Sequence, residues 1–222
     1  MPGKMALIAG SSGLVGNLLL HQLLQDDHYD QIMVLVRRSI AQRHPKLVEV
    51  VCDFNNLEEV SSYLKVDDVF CCLGTTIKKA KTRTAMNLVD RDYPIDLAKK
   101  TFEQGAQQFI IISAPNNGEN SPFAYSKMKG QLEAGLRKIP FNSLAFIHPS
   151  LLMGDRLEFR FAESISTALL RGITKITRKP ISAKLGIEAV DVATAMLKIA
   201  HNPQQGVTTY PAKKLQEIAA TK

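Results

Sequence analysis

The sequence predicts an α/β fold, a doubly wound parallel sheet with a small helical lobe near the carboxyl terminus. Short runs rich in branched and aromatic residues alternate with longer helical patterns, which is typical of repeated strand–helix units. Several short runs are almost continuously apolar, as strands buried on both faces of a parallel sheet require. With 222 residues, 45% of them hydrophobic, the chain can form one substantial domain.

Six strands and four helices are expected in the first 150 residues. The strand candidates are 5–10, 31–37, 47–53, 67–74, 108–113 and 143–149. The helical patterns between them cover 13–25, 56–64, 82–104 and 122–138. The later sequence is helical and basic, and Asp191 is expected to cap a helix that follows it. We interpret residues 1–222 as a single domain in which 153–187 and 212–222 form a small lobe on the substrate side.

Charge and cysteine content narrow the function classes. The net charge is +7, but the basic residues are scattered and no basic run contains interleaved aromatics, so nucleic-acid binding is not expected. The three cysteines, Cys52, Cys71 and Cys72, lie in apolar, strand-like runs without C-x-x-C spacing. This pattern favours buried, reduced thiols over a disulfide scaffold, and the histidines show no metal-ligand cluster.

The amino-terminal segment imitates a signal peptide, because Lys4 precedes an apolar run. The run is broken by the letters GSSG and no small-residue cleavage site follows. Since no stretch of about 18 apolar residues occurs, no transmembrane helix and no membrane partner are expected. The sequence therefore predicts a cytoplasmic protein, either a monomer or a homodimer.

A glycine-rich loop follows the first predicted strand and begins the first helix. Gly10, Gly13 and Gly16 have the spacing Gly-x-x-Gly-x-x-Gly. The first permits a tight turn, the second lets a pyrophosphate approach the backbone, and the third lets the helix pack against the strand. The helix N-terminus offers free N–H groups to phosphates. In this context the loop predicts a dinucleotide site.

The end of the second strand favours NADP(H) over NAD(H), which remains possible. Arg37 lies 21 residues after Gly16, at the position where an acidic residue would bind the ribose of NAD, and Arg38 follows it. An arginine pair suits a 2′-phosphate, although both could be solvated surface charges. After the third strand, Asp53 either bonds the adenine amino group, with Phe54 packed on the adenine edge, or simply forms a turn.

The fourth strand ends in the letters FCCLGTT, which include Leu73, Gly74, Thr75 and Thr76. A glycine just beyond the strand lets a cofactor cross over it, and the threonines could line the path to the nicotinamide ribose. A simple turn after a buried strand is the alternative.

The candidate catalytic residues are Ser113, Tyr125 and Lys129. Ser113 ends the fifth strand, and the other two lie four residues apart on one face of a predicted helix. A phenol has a reference pKa of about 10, which a nearby ammonium lowers toward neutral pH. The lysine can also bond the nicotinamide ribose, and the serine hydroxyl can hold a carbonyl oxygen. Together these groups suit hydride transfer coupled to proton transfer, although each alone has an ordinary structural interpretation.

These motifs resemble the short-chain dehydrogenase/reductase superfamily, through GSSGLVG, Ser113, YSKMK and HPSLLMG. More narrowly, FCCLGTT, VDRDY and YSKMKGQLE are similar to the Tat-interacting-protein oxidoreductase group among its atypical members. The resemblance implies an NAD(P)-binding Rossmann fold with strand order 3-2-1-4-5-6. It implies Ser113 as the carbonyl-orienting residue, Tyr125 as the general acid/base and Lys129 as ribose-binding.

The motifs and the resemblance together give a set of expected cofactor contacts around the loops that follow the strands. The expected contacts are Gly10, Ser11, Ser12, Gly13, Leu14, Val15, Gly16, Arg37, Arg38, Asp53, Phe54, Leu73, Gly74, Thr75, Thr76, Tyr125, Lys129, Pro149 and Leu151. Ala114 and Asp90 depart from the family pattern, since a second serine and an asparagine are usual there.

Three functions are compatible with the sequence. The first is an NADPH-dependent reductase of a small carbonyl compound, in which Tyr125 protonates the developing alkoxide. The second is an NADPH-binding regulatory or protein-interaction protein with little catalysis, suggested by the departures at Ala114 and Asp90. The third is an epimerase or dehydratase of a nucleotide sugar, for which the carboxyl-terminal lobe is small.

Overall fold

The structure, a computed structural model, describes residues 3–149, 151–153 and 186–221. Its strands are β1 (Lys4–Ala9), β2 (Tyr29–Val36), β3 (Leu47–Val51), β4 (Asp68–Cys71), β5 (Gln108–Ile112), β6 (Ser143–His148), β7 (Leu151–Met153), β8 (Gly186–Glu188) and β9 (Gly206–Pro211). Its α-helices are α1 (Leu14–Gln25), α2 (Ile77–Ala80), α3 (Arg83–Asn87), α4 (Tyr93–Glu103), α5 (Ala124–Leu136), α6 (Ala189–His201) and α7 (Ala212–Ala220). The predicted doubly wound α/β fold is confirmed.

The main sheet has seven parallel strands in the order β3-β2-β1-β4-β5-β6-β9. All six predicted strands are present, and their order is the one that the family resemblance implies. β9 extends the sheet beyond β6 and was not predicted. Because all strands are parallel, their carboxyl ends lie along one edge of the sheet, and the loops that follow them meet there.

Hydrophobic side chains leave the sheet on alternate faces and form two core layers. On β1, Ile8 packs toward the layer that contains α1 and α6, whereas Leu7 packs toward the layer that contains α4 and α5. Phe70 and Val69 divide in the same way on the neighbouring β4. This two-residue period on strands that are buried on both sides explains why the sequence runs are almost continuously apolar.

The helix expected at 82–104 is divided by a wider turn. α3 is capped by Thr82, whose Oγ1 accepts a hydrogen bond from the Ala85 N–H at 3.1 Å, and a π-helical turn (Leu88–Asp92) joins it to α4. Such turns are rare and often occur at functional sites. The helix expected at 56–64 is a 3₁₀-helix (Leu57–Leu64).

The carboxyl-terminal part of the described chain packs onto the Rossmann core. α7 lies against α6, and its Leu215 is fully buried in the same core layer as α1. The expected lobe at 153–187 falls almost wholly on residues 154–185, which lie outside the described residues. Asp191 lies within the first turn of α6, where Glu188 occupies the N-cap position, so the expected cap was wrong.

A buried polar cluster closes the amino end of the sheet, opposite the loops. The Tyr29 hydroxyl donates to Oδ2 of Asp68 at 2.8 Å, and the Lys4 ammonium lies 3.0 Å from the same oxygen. Burial raises the pKa of Asp68. The cluster thus satisfies a carboxyl group that the core would otherwise leave unpaired.

Two further features of the described residues bear on the sequence predictions. Cys52, Cys71 and Cys72 are free thiols; Cys71 and Cys72 are buried, as expected, whereas Cys52 is only half-buried, so its expected burial was wrong. Burial raises the pKa of Cys71 to about 12. None of the helices in the described ranges combines the length and the apolar character needed to cross a membrane.

Candidate active site

The glycine loop joins β1 tightly to α1. Gly10 has a φ of +89°, and a Cβ there would lie 2.5 Å from the backbone carbonyl of Cys72, which directly follows the neighbouring β4. A Cβ on Gly16 would overlap the carbonyl oxygen of Gly10. Both positions therefore require glycine, one for its left-handed conformation and one for the close approach of helix and strand.

The same loop leaves polar groups available to an anion. Gly13 is the N-cap of α1 without a side-chain cap, and the first turn contains no acidic residue. Ser11 is buried, and its Oγ has no hydrogen-bond partner among the described residues, whereas Ser12 is exposed. A pyrophosphate would satisfy the free N–H groups of Leu14, Val15 and Gly16. The loop thus fits a nicotinamide dinucleotide.

The predicted adenosine side is formed by the loops after β2 and β3. Arg37 and Arg38 directly follow β2 and are exposed. Asp53 forms a turn, because its Oδ1 accepts hydrogen bonds from the backbone and side chain of Asn55 at 3.0 and 2.8 Å. The Phe54 ring is buried, with its centroid 5.6 Å from that of Tyr93. The turn role of Asp53 is therefore present, and contacts of these residues with an adenosine stay a prediction.

The loop after β4 is held by Asp90 from the π-helical turn. Oδ2 of Asp90 accepts a hydrogen bond from the Thr75 N–H at 2.7 Å, and a Cβ on Gly74 would lie 3.4 Å from Oδ1. Thr76 caps α2 by accepting from the Lys79 N–H at 3.3 Å. Asp90, noted in the sequence only as a departure from asparagine, therefore fixes the backbone beside the predicted nicotinamide path.

Lys129 is buried in α5 and forms an ion pair with Asp90. Its Nζ lies 3.2 Å from Oδ1 of Asp90, and 5.9 Å from the centroid of the Tyr125 ring one helical turn earlier. Burial alone would lower the pKa of Lys129, but Asp90, with further contributions from Tyr125 and Cys71, outweighs it, so the pKa is raised. The ammonium of Lys129 therefore lies close to the half-buried Tyr125.

Ser113 lies just beyond β5, and its hydroxyl donates to Oε1 of Glu133 at 2.6 Å. The same oxygen contacts Nδ2 of Asn117 at 2.6 Å and Nε2 of His148 at 2.7 Å. Burial opposes ionisation of Glu133, but hydrogen bonds from His148, Ser113 and Asn117 outweigh it and hold its pKa below the usual value. Three donors thus converge on one oxygen of a buried carboxylate.

Sequence reasoning missed Glu133, Asn117 and His148. A signal for Glu133 was present, because Tyr125, Lys129 and Glu133 recur at four-residue spacing and share one face of α5. Asn117 and His148 come from other segments, so only the fold brings them to this carboxylate.

One cavity brings the glycine loop and the catalytic candidates together. Its lining residues are Val15, Gly16, Cys72, Leu73, Gly74, Thr75, Asp90, Ile112, Ser113, Tyr125, Lys129 and Leu152. Arg37, Arg38, Asp53 and Phe54 are not among them. Pro149 is buried after β6, and Leu151 begins β7, with its side chain outside the described part of the chain. The predicted triad thus lies beside the loop that would hold the dinucleotide.

The loop before α5 is clamped onto that helix. A Cβ on Gly130 would overlap the backbone of Gly118 and Glu119, and the Gly118 N–H donates to the carbonyl of Ser126 at 3.3 Å. This loop also contains Asn117, which bonds Glu133. The contact between the loop and α5 therefore positions the hydrogen bonds around Ser113 relative to Tyr125 and Lys129.

Comparison with known proteins identifies the family. The model of the NAD dependent epimerase/dehydratase family matches residues 6–134, which include the glycine loop, Ser113, Tyr125 and Lys129. The chain belongs to the NAD dependent epimerase/dehydratase family. The fold and the family are those of NAD(P)-binding proteins of the oxidoreductase and epimerase type, as the sequence motifs predict.

Within the epimerase/dehydratase family, curated relatives confirm the narrower resemblance. The chain is 30% identical to protein HTATIP2 of Rattus norvegicus over 212 residues, which cover 93% of this chain and 85% of the relative. It is also 30% identical to the mitochondrial protein FMP52 of Eremothecium gossypii over 151 residues, which cover 68% and 67% of the two chains. Several further relatives are likewise named as mitochondrial proteins. This finding overturns the cytoplasmic location expected from the sequence, which was wrong.

Solved structures whose titles name bound NAD share the fold. MoeE5 in complex with UDP-glucose and NAD superposes with a TM-score of 0.67 at 15% identity, covering 97% of this chain and 80% of that protein. The dTDP-glucose 4,6-dehydratase DesIV of Streptomyces venezuelae, with NAD bound, gives a TM-score of 0.67 at 13% identity, with 97% and 80% covered. At these identities the likeness establishes the Rossmann architecture alone.

Proposed function

We propose that this protein is an NADP(H)-dependent oxidoreductase that reduces a small carbonyl compound. One observation supports it above the others. The half-buried Tyr125, the buried ammonium of Lys129 and Ser113 line the same cavity as Gly16 of the glycine loop. A proton donor therefore lies beside the predicted dinucleotide site, where coupled hydride and proton transfer requires it.

Tyr125, Lys129 and Asp90 have distinct tasks in this proposal. When bound, the nicotinamide ring supplies hydride to the carbonyl carbon. Tyr125 donates its phenolic proton to the carbonyl oxygen as negative charge develops there. Lys129, paired with Asp90, stabilises the phenolate that Tyr125 becomes and would hold the nicotinamide ribose of a bound dinucleotide. Asp90 also fixes the Thr75 backbone, which keeps the ribose side of the cavity in place.

The preference for NADP(H) rests on Arg37 and Arg38. They follow β2 without an intervening residue, beside the strand that leads into the glycine loop, and both are exposed. A guanidinium pair can bond a 2′-phosphate through several N–H groups, whereas it offers nothing specific to a 2′-hydroxyl.

A screen with NADPH and small aldehydes and ketones tests the reductase proposal, using absorbance of the reduced cofactor. Tyr125→Phe removes only the phenolic oxygen and should lower kcat at least about 100-fold, since general-acid catalysis contributes factors of this size. Tyr63→Phe, at a tyrosine 45% exposed, is the matched control and should not change turnover. Unchanged turnover in Tyr125→Phe, with NADPH still bound, would rule out the proposed acid.

A regulatory NADPH-binding protein is the second candidate. Ser113 and Lys129 already bond other side chains of the protein: Ser113 donates to Glu133, and Lys129 pairs with Asp90. These internal contacts support a binding role in which the two residues do not act on a substrate. In such a protein NADPH would raise the melting temperature, but no carbonyl compound would oxidise it at a useful kcat/KM. The same screen separates the two candidates, because sustained NADPH oxidation excludes the regulatory one.

Epimerisation or dehydration of a nucleotide sugar is the third candidate. The family name and the titles of solved neighbours such as DesIV suggest this chemistry. We rank it below reduction because these neighbours are only 13–15% identical to this chain and share the fold alone. Release of a 4-keto sugar from dTDP-glucose by the purified protein would move it to first place.

We also propose a mitochondrial location, from the names of the FMP52 relatives. Import of the full chain into isolated mitochondria, followed by protease protection, tests it. Complete digestion of the added protein would contradict it.

A further inference from the structure

The Ser113 hydroxyl has only one proton, and that proton is donated to Glu133. Glu133 is 5% exposed, and its pKa is lowered, so it is a carboxylate that can only accept. The contacts to its Oε1 at 2.6 and 2.7 Å therefore assign Ser113 and His148 as donors, with the proton of His148 on Nε2. Charge-assisted bonds of this length are stronger than those between neutral groups.

On its cavity side, Ser113 therefore offers lone pairs and no proton. Nδ2 of Asn117 lies 3.5 Å from Oγ of Ser113, the limit of a hydrogen bond, and this amide already bonds Glu133 at 2.6 Å. A simple ketone has no donor and gains nothing from such an oxygen. A ligand that brings its own hydroxyl group can donate to it.

We infer that Glu133 sets Ser113 as an acceptor, so that the cavity selects substrates carrying a hydroxyl group beside the reacting carbonyl. The inference rests on the proposed reduction and names its substrate class, the α-hydroxyketones and α-hydroxyaldehydes. Hydride adds to the carbonyl carbon, the Tyr125 proton adds to its oxygen, and a vicinal diol forms. The neighbouring hydroxyl keeps its proton throughout and donates it to Oγ of Ser113.

Glu133→Gln is the informative variant, because it keeps the side-chain volume and changes the hydrogen bonding. The glutamine amide can donate an N–H to Ser113 and so release the serine proton toward the cavity. Ser113 then favours a carbonyl oxygen over a hydroxyl group. Glu133 is thus a positioning residue that acts through Ser113.

The test measures dissociation constants by calorimetry with saturating NADP⁺ or NAD⁺, so it requires no turnover. The probes are 1-hydroxy-2-ketones of three to eight carbons, each paired with the parent 2-ketone. The quantity compared is the ratio of the dissociation constant of the parent ketone to that of its hydroxyketone. In the wild type we expect this ratio to be about ten for each hydroxyketone that binds, because one well-placed hydrogen bond supplies a factor of this size. In Glu133→Gln and in Ser113→Ala the ratio should fall to within about twofold. Glu217→Gln, at an exposed glutamate of α7, should keep the wild-type ratio.

Three results would overturn the inference. The first is a ratio of ketone to hydroxyketone dissociation constants near one in the wild type. The second is a tenfold ratio that persists in Glu133→Gln. The third is that no hydroxyketone of the panel binds. If Glu133→Gln does not fold, Ser113→Ala decides alone, and NMR of His148 must still show the proton on Nε2 in the wild type. Selective binding of hydroxyketones without NADPH oxidation would instead reject the reductase proposal and leave the selectivity in place.

Discussion

The ammonium of Lys129 lies 3.2 Å from Oδ1 of Asp90, and both side chains are only 4% exposed. Removal of one partner leaves the other charge buried and unpaired, which costs about 3–5 kcal/mol. We therefore expect Asp90→Asn to lower the free energy of unfolding by about 3 kcal/mol at pH 7, measured by urea denaturation. Asp92→Asn, at a side chain 43% exposed, is the control and should cost less than about 1 kcal/mol.

The Asp90–Lys129 pair also predicts a pH dependence. The carboxylate raises the pKa of Lys129 above 10.5 despite burial. A raised pKa gives stabilisation that is complete below the unfolded value and is lost as the pH rises through the folded value. In Asp90→Asn burial acts on Lys129 without the opposing carboxylate and lowers its pKa, so the deficit of the variant should shrink as the pH rises from 7 toward 10. A deficit that grows with pH over this range would contradict the assignment.

Alanine substitutions at Gly10 and Gly105 should show how much destabilisation comes from backbone strain and how much from steric overlap. Both have positive φ, +89° and +99°, but a Cβ on Gly105 meets nothing within 4 Å, whereas one on Gly10 meets the Cys72 carbonyl at 2.5 Å. Gly105→Ala should cost about 1 kcal/mol from strain alone. Gly10→Ala should cost about 3 kcal/mol or more, since overlap with backbone adds to the strain. Equal melting temperatures of the two variants would contradict this account.

The free energy of unfolding should decrease at acid pH because Glu133 becomes protonated. Its pKa lies below the usual 4.5, so the stabilisation is complete above that pH and is lost as the pH falls through the folded-state value. Glu133→Gln should cost about 2 kcal/mol at pH 7, the size of hydrogen bonds to a charged group. The difference between wild type and variant should shrink as the pH drops from 5 to 3. Parallel urea midpoints across this range would show that Glu133 does not titrate as proposed.

Arg37 and Arg38 should distinguish the two dinucleotides. The double variant Arg37→Ala/Arg38→Ala should weaken NADPH binding about 10–100-fold, because charge-assisted bonds to the 2′-phosphate are lost, and should leave NADH binding unchanged. Fluorescence titration of both cofactors measures this. Arg43→Ala, exposed later in the same loop, is the matched control. An equal loss for NADH would reject the phosphate contact.

Tyr29→Phe should destabilise the amino end of the sheet. The variant removes the 2.8 Å hydrogen bond to the buried Asp68 and leaves the carboxyl group with Lys4 alone. We expect a loss of about 2 kcal/mol in the free energy of unfolding. Tyr63→Phe, at an exposed tyrosine, should be neutral. A neutral Tyr29→Phe would mean that the hydroxyl does not stabilise Asp68.

Local patterns in the sequence were sufficient to predict most of the strands and helices. Continuous apolar runs located β1 to β6, because both faces of each strand are buried. β9 was missed because it is an edge strand whose sequence, GVTTYP, is partly exposed and contains few large apolar residues. The division of residues 82–104 was missed because the π-helical turn depends on where Asp90 reaches Thr75 and Lys129, a tertiary contact.

The candidate site was predictable where its residues share a local motif. The glycine loop and the Tyr125–Lys129 spacing follow from strand–helix order and helical periodicity. The network around Ser113 was not predicted, since Glu133 reaches Ser113 from α5 and His148 reaches Glu133 from β6. A sequence shows which side chains can donate or accept a proton. Whether the Ser113 hydroxyl donates or accepts a hydrogen bond depends on neighbours that only the fold brings to it.

The contact of Gly130 with Gly118 constrains how this protein can be re-engineered. Any larger side chain at Gly130 would push the preceding loop away from α5 and disturb Asn117, Ser113 and Tyr125 together. Directed evolution for new substrates should therefore leave Gly130 fixed. Libraries should vary cavity positions such as Leu73 and Leu152 instead, where a change in shape need not disturb the alignment of the reacting groups.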